Sequence, residues 1–215
     1  VKISDGCLES VAELKFVVYL SDGFLVWKPA GVPMAQATVI ETAIEANGRP
    51  AQVIEDITAF PNLSVLKGVF VTLGVYGSKY VLTNSDVTIL TSYLDAGGKI
   101  YMEGGDTWSF DTWTNLHPYF KIQDVDDGIQ VYPGPVVGKH FCYGNNLLVA
   151  ADYSVNNFLD RIDRVIHGGA IPILRDVSET FSLTLAYEHP TIKYRTIGSS
   201  IPFAALRNQG ASTVN

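Results

Sequence analysis

Leu90-Thr-Ser-Tyr-Leu-Asp-Ala-Gly-Gly-Lys-Ile-Tyr-Met-Glu-Gly-Gly-Asp106 is the stretch on which the reading of the fold turns. Its first half completes a helix. Thr83-x-x-Asp86 supplies a start like a capping box, Val87, Leu90 and Leu94 the buried stripe, and Ala96-Gly97-Gly98 the stop. Its second half, Lys99-Ile-Tyr-Met-Glu103, is a strand that runs into Gly104-Gly105-Asp106. Upstream, Gly68-Val-Phe-Val-Thr-Leu-Gly74 is apolar on both faces, as strands of a helix-covered parallel sheet are. Strand, helix and strand in this order form one right-handed crossover unit.

Toward the amino terminus, the continuous apolar run at 16–20, bounded by Asp22-Gly23, reads as the first strand. Residues 24–32, with Pro29 and Gly31, read as a loop. Pro33 then opens a helix in which Met34, Ala37, Ile40, Ala43 and Ile44 recur at helical spacing, closed by Asn47-Gly48. A short second strand spans 52–56. Toward the carboxyl terminus, residues 125–144 are rich in Gly, Pro and aromatics and show no helical period. Phe158, Ile162, Val165 and Ile166 fall on one face of a short helix at 157–167. Segments 170–174, 181–187 and 192–198 read as strands, the last two joined by a hairpin at 188–191. The expected architecture is an α/β, three-layer, flavodoxin-like doubly wound sheet, mostly parallel with an antiparallel carboxy-terminal edge. One domain covers 1–215, with an amino-terminal extension at 1–14 and a tail or linker at 208–215.

Composition narrows the function. Of 215 residues 47% are hydrophobic and 17% charged, against about 25% charged in an average soluble domain. The formal net charge of −7 and the absence of a Lys/Arg cluster argue against nucleic-acid binding. No apolar run approaches the roughly 18 residues of a membrane span. Ten Phe, eleven Tyr and three Trp exclude a disordered chain. Cys7 and Cys142 are too few for a disulfide scaffold or a four-thiolate zinc site. They are either two separate thiols or a single bridge in an oxidising compartment. The low Lys/Glu content and the Ser/Thr/Asn/Tyr-rich remainder point to an extracellular or cell-surface protein, with neighbouring domains of a longer chain as its expected partners. Asn62-Leu63-Ser64 fits the glycosylation pattern.

In an open parallel sheet a ligand sits beyond the carboxyl ends of the strands, where strand order reverses. Asp22, the Gly74-Val-Tyr76-Gly77 loop and residues 103–106 are expected to converge there. The ligand crevice is therefore assigned to Asp22, Gly74, Tyr76, Gly104, Gly105 and Trp108. Glu103 and Asp106 are candidates for general acid/base work, or for holding a hard cation. Against this, Asp106 is also placed to cap the following turn, and Trp108, Phe110 and Trp113 form either an aromatic lip or a wet-edged core cluster. Residues 124–128 fail the calcium-loop pattern and read as an acidic turn. None of His117, His140, His167 and His189 has a zinc-ligand spacing. No nucleophile elbow, phosphate loop or dinucleotide fingerprint occurs, so no cofactor and no metal is expected.

The residues 69–74, Leu82-Thr83 and 90–105 quoted above resemble the class I glutamine amidotransferase-like superfamily, most of all its ThuA-like, non-amidotransferase members from bacterial extracellular multidomain proteins. The resemblance implies the α/β fold. It also implies a nucleophilic Cys in a strained turn directly after the strand 99–103, where this chain has Gly104-Gly105. The family's His and Glu follow its last strand, where residues 195–200 have neither. Glu188-His189-Pro190 carries similar residue types in a different order, inside the hairpin. The resemblance thus implies the scaffold with its triad missing, a pseudoenzyme acting as a binding or structural module. The alternative is a hydrolase using Glu103 and Asp106, metal-assisted or not, on a carbohydrate-like or peptide substrate. A third reading has the aromatic stretch from Tyr132 to Tyr143 docking on a neighbouring domain.

Overall fold

The computed structural model describes residues 2–4, 9–11, 22–60, 62–128, 136–140, 146–149 and 162–208. The strand expected at 16–20, both cysteines, Phe158 and most of the stretch from Tyr132 to Tyr143 lie outside the described residues.

Within the expected extension, β1 (Lys2–Ser4) and β2 (Glu9–Val11) pair antiparallel as a sheet of their own. The α/β part follows: β3 (Phe24–Trp27), α1 (Met34–Ala46), β4 (Ala51–Ile54), β5 (Gly68–Thr72), α2 (Asn84–Asp95) and β6 (Lys99–Glu103). The remaining strands are β7 (Ile122–Asp126), β8 (Val136–Gly138), β9 (Asn146–Val149), β10 (Arg164–His167), β11 (Ile171–Asp176), β12 (Ser182–Glu188), β13 (Arg195–Ser199) and β14 (Leu206–Asn208). One mixed sheet of 12 strands contains all but β1 and β2. Its parallel part runs β4-β3-β5-β6-β13, and numbering these five along the chain gives the order 2-1-3-4-5, which reverses between β3 and β5. Beyond β13 the sheet continues antiparallel through β12, β11, β8, β9 and β14, while β10 bridges β12 and β7.

The helices sit as their sequences dictate. Thr83 and Asp86 form a complete capping box on α2, with Thr83 N donating to Asp86 Oδ2 at 2.8 Å and Asp86 N to Thr83 Oγ1 at 3.3 Å. Pro33 stands at the N-cap of α1. At the other end Asn47 Nδ2 donates to Ala43 O at 2.8 Å and Gly48 takes φ +69°. The two helices cover opposite faces of the sheet. Ala37, Ile40 and Ile44 of α1 pack with Val26, Phe24, Phe70 and Tyr101, whereas Leu90 and Leu94 of α2 pack with Leu25, Trp27, Val69, Val71 and Met102. Alternate residues of β3, β5 and β6 thus feed two separate apolar clusters.

Four expectations change. Residues 24–27 are a central parallel strand rather than the start of a loop, since Pro29 and Gly31 fall after the strand has ended. Asp22 therefore precedes its strand and lies at the amino end of the sheet. Residues 164–167 form β10 rather than the end of a helix, because the apolar Val165 alternates with Arg164 and Ile166 in a ladder against β7. The acidic turn at 124–128 is largely strand β7, in which Asp126 pairs with Arg164 across that ladder.

Gly198 marks the tightest point of this packing. A Cβ there would lie 2.4 Å from Ile122 Cδ1 and 2.6 Å from the fully buried Trp108 ring. Gly198→Ala is expected to cost about 1–3 kcal/mol, as overpacking of a rigid core does. A fall in the urea midpoint with an unchanged slope would show it, and an unshifted midpoint would contradict the contact.

Candidate functional site

The carboxyl edge of the parallel strands is built around the turn after β6. Thr72, Glu103 and Ser199 are in register across β5, β6 and β13. Glu103 alternates with Met102 and so faces the α1 side, two residues beyond Tyr101. It is fully buried. Its Oε2 accepts from Tyr101 Oη and from Phe203 N, both at 2.7 Å, and its Oε1 has no hydrogen-bond partner. Phe203 opens the 3-10 turn Phe203–Ala205, so Glu103 serves as a cap for it from 100 residues away. Burial pushes this carboxyl from its ordinary 4.5 up to about 7, opposed by the two donors.

Gly104 and Gly105 are closed in. Gly104 N donates to Ser199 O at 3.0 Å and Gly105 N to Gly74 O at 2.9 Å. A Cβ on Gly104 would meet Leu73 and Thr107 at 3.1 Å, and one on Gly105 would meet Val75 at 3.1 Å. Gly74 takes φ +81° and has Ser78 O 2.6 Å from where its Cβ would be, so only glycine fits there.

Beyond the glycines the chain is held by Asp163. Its carboxylate accepts from three successive backbone N–H groups, those of Trp108 (2.6 Å), Ser109 (2.8 Å) and Phe110 (3.4 Å), and its own N–H donates to Gly105 O at 2.7 Å. Burial raises the Asp163 carboxyl to about 7 against the pull of these donors, and the neighbouring Asp106 charge adds to the rise. Asp106 is itself buried and pairs with Lys79 Nζ at 2.9 Å, which also reaches Asp111 at 2.6 Å and lies 3.9 Å over the Phe110 ring. Burial raises the Asp106 carboxyl, with Lys79 opposing. His117 Nδ1 accepts from Thr114 N at 2.9 Å, so its proton sits on Nε2 and goes to Thr107 O at 2.8 Å. Burial lowers its pKa.

The expected crevice is therefore only partly assembled. Gly74, Glu103, Gly104, Gly105, Asp106 and Trp108 do come together. Asp22 does not: it pairs with Lys67 at 2.5 Å at the amino end of the sheet. Trp108 is core rather than lip, with Nε1 on Ser199 O at 2.9 Å and its ring against Phe120 and His117. Tyr76, Phe110, Trp113 and Phe203 are exposed aromatics of this end. Asp163, Lys79, Asp111 and Lys28 join the buried polar groups from outside the residues read from sequence. Asp163 lay in a segment read as helix. Lys79, a lone cation in a Gly/Ser loop facing an acidic turn, was the one legible signal. Lys28, buried beside β3, donates to Val32 O at 3.1 Å and pairs with Glu55 at 2.6 Å. No group of three or more His, Cys, Asp or Glu among the described residues is arranged to hold a metal ion, and no helix among them is long and apolar enough to cross a membrane.

No family profile and no curated protein matches the chain. Among solved structures it is similar to the exo-β-1,4-mannosidase Op5Man5 from Opitutaceae bacterium strain TAV5, with a TM-score of 0.60 and 10% identity over 86% of this chain. The chain spans only 32% of that protein's length. It is also similar to the mmIFT52 N-terminal domain, with a TM-score of 0.50 and 16% identity, covering 82% of this chain and 86% of that one. At such identities the likeness is one of fold. Neither is named as an amidotransferase.

Glu103 gives this edge a pH signature. Between about 4.5 and 7 the folded protein holds a proton on Glu103 that the unfolded chain has released, so unfolding free energy falls as pH rises through that window and levels off above it. At full ionisation the cost is about 3 kcal/mol, from ~1.4 kcal/mol per pKa unit. Glu103→Gln is expected to gain stability over the parent at pH 8 and to match it within about 1 kcal/mol near pH 4.5. Parallel pH–stability curves for the two proteins would refute the buried, protonated carboxyl.

Proposed function

We propose that this chain is a non-catalytic α/β module of a longer, exported protein. In this reading its three-layer, flavodoxin-like scaffold is that of the amidotransferase-like superfamily with the nucleophile position emptied. The observation that carries the reading is the turn at 104–105. The position where the family places its cysteine holds two glycines, bonded on both sides to Gly74 and Ser199, with no room for a Cβ without movement of Leu73, Thr107 or Val75. The fraction of the mannosidase chain that this fold occupies, 32%, supports a module within a larger assembly of domains.

The carboxylate hydrolase would need Glu103 and Asp106 to face one open cleft. Glu103 is fully buried on Tyr101 and Phe203, and Asp106 is pinned to Lys79, so each carboxyl group is already committed to an internal partner.

The test is enzymatic. Glutamine, p-nitrophenyl acetate and p-nitrophenyl β-mannoside are expected to be hydrolysed no faster with the protein than in buffer, before and after treatment with a thiol-alkylating reagent. Glutaminase or esterase activity abolished by Cys142→Ala would overturn the proposal, as would turnover of the mannoside abolished by Asp106→Asn.

A further inference from the structure

On the α1 side the described residues leave the sheet incompletely covered. Phe24, Phe70 and Tyr101, from three adjacent parallel strands, are only half-buried although none of these strands is at the edge of the sheet. Above them runs a groove of about 380 Å³, walled on one side by Ile40, Ala43 and Ile44 of α1 and on the other by Phe203. That volume falls in the range of small-molecule sites, roughly 300–1,000 Å³. Floor and walls are apolar. Polarity enters at the amino end of the strands, where Asn47 and Arg49 complete the lining.

Arg49 is exposed, and no carboxylate among the described residues pairs with it. Nor is its guanidinium needed to finish α1. The last helical carbonyls are already met: Ala43 O by Asn47 Nδ2, Ile44 O by the N–H groups of Asn47 and Arg49, and Glu45 O by Gly48 N. An apolar trough ending in an uncommitted guanidinium is complementary to one kind of molecule, an aliphatic chain that ends in a carboxylate. We propose that this groove binds an aliphatic monocarboxylate, its chain lying between α1 and Phe203 over Phe24, Phe70 and Tyr101 and its carboxylate on Arg49. Its carboxylate end, at Arg49, lies at the opposite end of the strands from the 104–105 turn, and the proposal does not rest on the module reading.

Decanoate and decanol, both below their aggregation limits, separate the contributions of chain and charge in titration calorimetry. Decanoate is expected to bind at one site, about tenfold tighter than decanol at low salt, with the advantage shrinking as salt is raised. Arg49→Ala is expected to reduce decanoate to the affinity of decanol and leave decanol unchanged. Ala43→Phe, which fills the groove from a half-buried position, is expected to remove both, and a thermal midpoint close to the parent's confirms that this variant is folded. Should Ala43→Phe fail to fold, Phe203→Ala on the exposed wall serves instead, with both ligands weakened together. The proposal is overturned if neither ligand saturates a single site, if decanol equals decanoate, or if Arg49→Ala leaves decanoate unchanged.

Discussion

One carboxylate gathers three backbone N–H groups at the end of this sheet. Asp163 holds Trp108, Ser109 and Phe110 by their amides and ties its own N–H to Gly105. The consequences spread from that point. The turn cannot swing outward, so the Trp108 ring stays beneath the sheet edge with Nε1 on Ser199, and strand β13 can carry no side chain at Gly198. The residues that follow are carried to the surface, where Phe110 meets Lys79 and Trp113 stacks on His117 at 5.0 Å. The turn after β6 thus acts as a structural joint that links β5, β6 and β13.

The electrostatics of that joint are costly and locally compensated. Asp163, Asp106 and Glu103 are all buried, and a buried carboxylate is tolerated only with donors or a countercharge. Each has a different solution: three backbone amides for Asp163, the Lys79 ammonium for Asp106, and a phenol plus one amide for Glu103. Lys79 alone faces two acids, Asp106 and Asp111, so the cluster retains a negative excess that the Asp163 carboxyl feels. Perturbed acids of this kind also mark catalytic sites. Here each acid has an interior partner, although Glu103 Oε1 and Asp106 Oδ2 accept no hydrogen bond, so the perturbation reads as the cost of packing the edge.

The middle third of the sequence was legible because its local signals agree. The capping box at Thr83 and Asp86, the stop at Gly97-Gly98 and the strand residues that follow at 99–103 all point to the same helix and strand. The hairpin between β12 and β13 was legible for the same reason. Residues 24–27 were not, since four apolar residues beside Pro29 and Gly31 carry too short a period to separate from the loop that follows. The antiparallel half was blurred because β7, β8, β9 and β10 are three to five residues long and gain their stability from neighbours distant in sequence. Of the site, Glu103, Asp106 and the glycines follow from the strand they terminate. Asp163 does not: its role exists only once residues 55 positions away have been brought to it.

These features bear on where a ligand can sit on this sheet. The carboxyl ends of β5, β6 and β13, next to the reversal of strand order between β3 and β5, are occupied by the chain itself: Gly104 bonded to Ser199, Gly105 bonded to Gly74, Trp108 beneath them, and Phe203 capped by Glu103. The same Phe203 turn that closes this edge forms one wall of the groove on the α1 face. Closing the carboxyl end and leaving Phe70 and Tyr101 half-covered are therefore two results of a single placement, that of the segment Phe203–Ala205 between Glu103 and α1. A change that loosened Phe203 from Glu103 would open the edge and remove a wall of the groove at once, which couples the two regions through one backbone hydrogen bond of 2.7 Å.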